Sequence, residues 1–163
     1  MTVPLPDTLL KLTAFLPYRL SVLANTVSLT VARLYEKRFG ITIPEWRVIA
    51  VLGGGRTLSA SEVAAATAME RVQVSRAISR MLDSGLILRE TGGDDRRRAD
   101  LTLTAKGAAI YDEIAPLARA YETELTAALS ADEMEQLDHL LGKLQARAAD
   151  LAARPRGGRQ NAP

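Results

Sequence analysis

The side chains with most to offer a ligand fall in one short stretch, Glu70–Ser84, ERVQVSRAISRMLDS. Gln73, Ser75, Arg76, Ser79 and Arg80 bring amide, hydroxyl and guanidinium donors, and Asp95, Arg96, Arg97 and Arg98 follow in the run GGDDRRRA, residues 92–99. A guanidinium group can pair with phosphate, or bridge O6 and N7 of guanine; a glutamine amide can bridge N6 and N7 of adenine. None of these groups is a nucleophile set beside a base. The chemistry they offer is recognition of an anionic polymer that carries bases.

The rest of the chain supplies little for catalysis. It has no cysteine, which excludes disulfides, thiol sensing and thiolate metal sites, and its one histidine, His139, is poor material for a zinc centre. His139 is expected to be an ordinary surface or interface residue. Gly53-Gly54-Gly55 lacks the Lys-Ser/Thr that completes a phosphate loop. The reading is therefore not an enzyme, with no cofactor and no metal. A formal charge of +2 is too mild to argue for nucleic acid, but its distribution is uneven. Residues 71–106 hold eight Lys/Arg against five Asp/Glu, residues 108–151 three against nine, and the tail from Ala152 three Arg and no acid. One face is expected to meet an anion.

The elements that must position these groups are legible in the hydrophobic spacing. Within 70–84, Val74, Ala77, Ile78, Met81 and Leu82 form one apolar helix face, and the donors occupy the other. Ahead of it, the Ser59–Glu62 spacing is that of a capping box opening a short helix in which Ala64, Ala65 and Ala66 would permit a close crossing, with a turn at Thr67–Glu70. Behind it, Leu86–Thr91 and Asp100–Thr104 read as strands flanking the charged turn. Two crossing helices and a hairpin make a winged helix-turn-helix. Further out, Pro17 and Gly40 bracket a long helix, apolar over much of its girth. Thr42–Glu45 caps another that buries Trp46, Ile49, Ala50 and Leu52. The chain is expected to turn helical again after Gly107, with Pro116 as a kink. Ser130–Glu133 caps a last helix with a stripe of Met134, Leu137, Leu140, Leu141 and Leu144. The 163 residues, 47% of them hydrophobic, suit one domain with extensions. With Pro4 and Pro6 where a leader's apolar stretch would stand, and no apolar run near the roughly 18 residues of a membrane span, a soluble cytoplasmic protein without membrane contact is the expectation.

The sequence resembles the multiple-antibiotic-resistance regulator (MarR) family of bacterial winged-helix regulators. The resemblance rests on the wing, Asp95-Arg96-Arg97 followed by Arg98-Ala99-Asp100-Leu101-Thr102-Leu103-Thr104 and Lys106-Gly107, on VSRAISRMLDSGLI (residues 74–87), and on PEWRVIAVL (residues 44–52). It implies a mainly α fold with a small β-hairpin wing. Linking and dimerisation helices would occupy 1–40, the winged helix-turn-helix 41–104, C-terminal dimerisation helices 105–151, and a disordered basic tail 152–163. It also implies a homodimer on a pseudo-palindromic duplex, with half-site centres roughly 10 bp apart.

On this resemblance Gln73, Ser75, Arg76, Ser79 and Arg80 enter the major groove. Arg97 enters the minor groove, Asp95 orients it by an ion pair, and Arg96 and Arg98 touch phosphates. The plainer alternatives are a solvated helix face and an ordinary polar hairpin tip. Tyr18, Arg19, Trp46 and Tyr111 are the candidate ligand-binding residues, since many family members bind phenolic or other aromatic acids. Their plainer reading is core aromatics and a surface charge. The function that follows is a sequence-specific repressor relieved by a small aromatic or phenolic acid or its thioester. The alternative is a ligand-independent or weakly specific DNA-binding protein.

Overall fold

The computed structural model of the chain describes residues 10–91 and 99–154. After a 3-10 turn at Leu12–Ala14 come α1 (Leu16–Phe39), α2 (Ile43–Leu52), β1 (Leu58–Ser59), α3 (Ala60–Thr67), α4 (Arg71–Asp83), β2 (Ile87–Thr91), β3 (Ala99–Leu103), α5 (Ala105–Thr126) and α6 (Ala131–Ala153). The chain forms two compact units, Met1–Ala120 and Tyr121–Pro163.

The first unit is a winged helix-turn-helix. Val48, Ile49 and Leu52 of α2, Val63 of α3, and Val74, Ala77, Ile78 and Met81 of α4 close around one core with Leu86, Ile87 and Leu101 of the sheet. Each fully buried aliphatic side chain of this kind contributes about 1.5–3 kcal/mol relative to exposure. Residues outside the 41–104 stretch complete the same core: Ala32 and Tyr35 from α1, Ile110 and Ile114 from α5. The sheet is antiparallel in the order β1-β3-β2. Leu58 pairs with Leu101, and Ile87 with Leu103, so β3 is central and its Leu101 is fully covered.

The expected caps are present. Pro17 stands in the first turn of α1, and Gly40 ends that helix at φ 66°. Thr42/Glu45, Ser59/Glu62 and Ser130/Glu133 are capping boxes. Several finer expectations are corrected. Ala50 is exposed, and Val48 takes its place in the core, because α2 turns the 45–48–49–52 face inward. Of the three alanines only Ala64 packs against the core, while Ala65 and Ala66 face outward. Residues 58–59 form a strand that their two-residue length concealed. Gly107 does not precede α5 but lies inside it, where a Cβ would collide with the Leu86 carbonyl oxygen. Thr104 starts that helix, its hydroxyl accepting the Gly107 N–H at 3.0 Å.

In the second unit, α6 buries no residue. Met134, Leu137, Leu140, Leu141 and Leu144 are all exposed, and the helix runs on through Ala152 and Ala153. Leu16, Leu20, Val22, Leu23 and Leu29 of α1 are exposed as well. Among the described residues no helix is long and apolar enough to cross a membrane.

Candidate nucleic-acid interface

The helix-turn-helix is set by the turn between α3 and α4. Ala68 takes the left-handed conformation there (φ 50°, ψ 34°), and Met69, only 8% exposed, pins the turn to the core. A non-glycine residue in that region costs about 1–2 kcal/mol, which the packing of Met69 and Val74 must offset. The turn delivers α4 with Val74, Ala77, Ile78 and Met81 inward. Gln73, Ser75, Arg76, Ser79 and Arg80 are all exposed, so one helix brings these five together as the sequence predicts. At 3.6 residues per turn, Val72, Arg76, Ser79 and Asp83 form the ridge farthest from the core. Gln73 and Arg80 lie on one flank of that ridge, Ser75 and Arg71 on the other.

Arg80 departs from its expected part. Its Nε donates to Glu45 Oε1 at 2.7 Å, and Glu45 is the one buried charged residue among those described. The second oxygen of Glu45 accepts the Thr42 N–H at 2.7 Å and the Thr42 hydroxyl at 2.8 Å. Burial alone would raise the Glu45 pKa. The hydrogen bonds from Arg80 and Thr42, with the Arg80 charge, overcome burial and hold the carboxyl below its ordinary value. Arg80 is thus a strut from α4 to α2. Sequence spacing could place it on the outer half of the helix but could not reveal a partner 35 residues away. At the other end of this joint, Lys106 Nζ donates to the Ser84 carbonyl at 2.9 Å, putting a cation where α4 ends.

The β2–β3 ladder runs out to the pair Thr91–Ala99. The expected wing-tip residues Asp95, Arg96, Arg97 and Arg98 lie outside the described residues. Two arginines that sequence reasoning passed over stand close to α4. Arg71 and Arg89 line a small hollow of about 140 Å³ with Ser61, Ala64 and Ser75. Strand alternation was the available signal: Arg89 falls on the same side of β2 as buried Ile87, the side that faces α4.

The four candidate ligand residues do not form one site within the chain. Trp46 stacks on Tyr111 with centroids 6.4 Å apart and lies 5.7 Å from the ring of Tyr35. Gly53 permits this, since a Cβ there would overlap the Tyr111 ring. Burial pushes the Tyr35 hydroxyl up to about 12. Tyr18 and Arg19 are exposed in the opening turns of α1. Tyr18 precedes Tyr35 by 17 residues on one helix, about 25 Å at the rise of an α-helix. A cavity of about 390 Å³ between α1 and α2 is lined by Leu29, Ala32, Arg33, Glu36, Thr42 and Pro44 among others, and by none of the four candidates.

Comparison with known proteins agrees with this geometry. Residues 39–98, which run from the end of α1 through α4 and β2, match the model of the MarR family. The matched segment is a MarR-family domain. The chain is 26% identical over 118 residues to the homoprotocatechuate degradative operon repressor of Escherichia coli, covering 72% of the chain and 80% of that protein. The crystal structure of a MarR/EmrR family transcriptional regulator from Acinetobacter sp. ADP1 is 25% identical and superimposes with a TM-score of 0.79 over 86% of this chain and 99% of that one. The structure of NadR in complex with 4-hydroxyphenylacetate shares the fold at 24% identity, with a TM-score of 0.70 over 87% and 97% of the two chains. The matched family model and the similar structures are those of MarR-family transcriptional regulators.

Proposed function

We propose that this chain is a MarR-family regulator, a homodimeric, sequence-specific repressor that leaves its operator when a small aromatic acid binds. The observation that carries the DNA reading is the solvent-facing row Gln73, Ser75, Arg76 and Ser79 on α4, with Arg71 and Arg89 close by. Gln73 and Arg76 read base edges. Arg71 and Arg89 meet phosphates along the groove walls, and the expected wing arginines extend the contact into the minor groove. Arg80 is left out of the base-reading set because Glu45 holds it. The homodimer is supported by the exposed leucines of α1 and by α6, which buries nothing within its own chain. The aromatic-acid effector is supported by the relative whose name is that of a homoprotocatechuate degradative operon repressor. A repressor of this kind works in the cytoplasm, where its operator lies.

Release requires the effector to bind one dimer geometry more tightly than the other; a ligand indifferent to both shifts nothing. Gel-shift titration against fragments of the neighbouring promoter, at one stated salt concentration, tests the reading. A preference of about 10³-fold or more over unrelated DNA is expected. Adding homoprotocatechuate or 4-hydroxyphenylacetate should weaken that binding. No preference among fragments, or affinity unmoved by either acid, contradicts the respective half of the proposal.

A further inference from the structure

The outer ridge of α4 carries one apolar side chain. Val72, in the helix's first turn, is 62% exposed, although the ridge it begins continues through Arg76, Ser79 and Asp83. It stands diametrically opposite the buried Val74–Ala77–Ile78–Met81 face, so the core has no claim on it. Its neighbours on the surface are the donors assigned to base reading: Gln73 beside it, Arg76 one turn on. The far end of the ridge is the carboxylate of Asp83, which phosphates repel. The half of the ridge that can approach a duplex closely is therefore the half that begins with Val72, in keeping with the N-terminal insertion of recognition helices.

In the major groove the one apolar group on a base edge is the thymine C5-methyl. A β-branched side chain in a helix is held in a single χ1 rotamer, so the isopropyl group arrives already oriented. We infer that Val72 is a specificity-determining residue that packs against a thymine methyl group in each half-site, next to the bases read by Gln73 and Arg76. The inference rests on the DNA-binding reading above and names one base that reading leaves open.

The test starts from a randomised duplex pool, from which the full-length protein selects its preferred site at fixed salt. Each thymine of that site is then replaced in turn by deoxyuridine, which removes only the methyl group. One thymine per half-site should prove sensitive, its replacement weakening wild-type binding by about fourfold, what burial of one methyl group is worth. Val72→Ala should bind the thymine duplex less tightly and be indifferent to the replacement. Alanine is the better helix former, so this variant should unfold at the wild-type temperature or above. A pool in which no sequence is enriched overturns the DNA-binding reading itself. An enriched site whose uracil copies bind like the parent, or weaken Val72→Ala as much as wild type, overturns the assignment of Val72 alone.

Discussion

Arg80 Nε lies 2.7 Å from Glu45 Oε1, which ties α4 to the first turn of α2. The pair is lopsided: the Glu45 side chain is 9% exposed and that of Arg80 52%. The carboxylate has its other oxygen filled by Thr42, so it is fully satisfied only while both partners stay. Glu45→Gln removes the charge and sets an amide that cannot accept two bonds from Thr42 on its nitrogen end. It should cost about 1–3 kcal/mol, the usual loss for a hydrogen bond to a charged group. Urea unfolding of Glu45→Gln, Arg80→Gln and the double variant measures it. The double variant should lose clearly less than the sum, and strict additivity would mean the two residues do not act as a pair.

The same carboxylate gives stability a pH dependence of known sign. Burial works to raise the Glu45 pKa, but the Arg80 and Thr42 hydrogen bonds win and leave it below the ordinary value of 4.5. A depressed folded pKa means stability that is complete above the unfolded value and drains away as pH falls through the folded one. The stability gap between wild type and Glu45→Gln should therefore be widest near about pH 7 and shrink by about pH 3. A gap that stays constant across that range would show that Glu45 titrates alike in both states.

Much of this was legible in the sequence because periodicity and capping are local. The buried row Val74, Ala77, Ile78 and Met81 follows from spacing alone, and three Ser/Thr–Glu boxes mark three helix starts. What escaped depends on tertiary partners. Arg80 looked like any exposed arginine until Glu45 was placed beneath it. Gly107 looked like a helix boundary, yet it is the residue that lets α5 pass the Leu86 carbonyl. Trp46 and Tyr111 could be read either as pocket or as core aromatics, and only tertiary structure shows them stacked on each other against the core. Arg89 was missed because its role depends on which side of a short strand faces α4.

Arg76 and the wing arginines should fail in different ways when removed. Arg76 is exposed on the outer ridge of α4, and its proposed contact is a base edge. Arg76→Ala should cost roughly 1–3 kcal/mol in operator affinity and relax preference at one base pair. Arg96→Ala, expected at a phosphate, should weaken binding to all sequences alike and lower the salt slope by about one unit. Titrations of both variants at several salt concentrations separate the two. Equal behaviour would contradict the division of labour between helix and wing.

The packing around Gly53 makes a prediction about stability that does not involve DNA. A Cβ at this position would overlap the Tyr111 ring, which is stacked on Trp46. Gly53→Ala should therefore cost about 1–3 kcal/mol through overpacking, despite the entropy an alanine normally saves. Pairing it with Tyr111→Leu should recover part of the loss. Since the chain has a single tryptophan, the emission of Trp46 reports the disturbance directly.

The exposed leucines bear on whether two copies act together. Leu23 and Leu29 of α1 are each 56% exposed, and Leu140 of α6 is 54% exposed. Replacing Leu23 and Leu140 by Asp removes no contact from the winged core, whose integrity Trp46 emission again reports. The double variant should elute as a monomer where wild type elutes as a dimer. It should also lose operator affinity by about 10²-fold or more, because the second half-site is no longer held at high local concentration. Its affinity for an isolated half-site should stay near the wild-type value. If the variant remains dimeric, α1 and α6 are not the subunit contact. If it turns monomeric with operator affinity intact, one subunit suffices for recognition, and the two-fold reading of the operator falls with it.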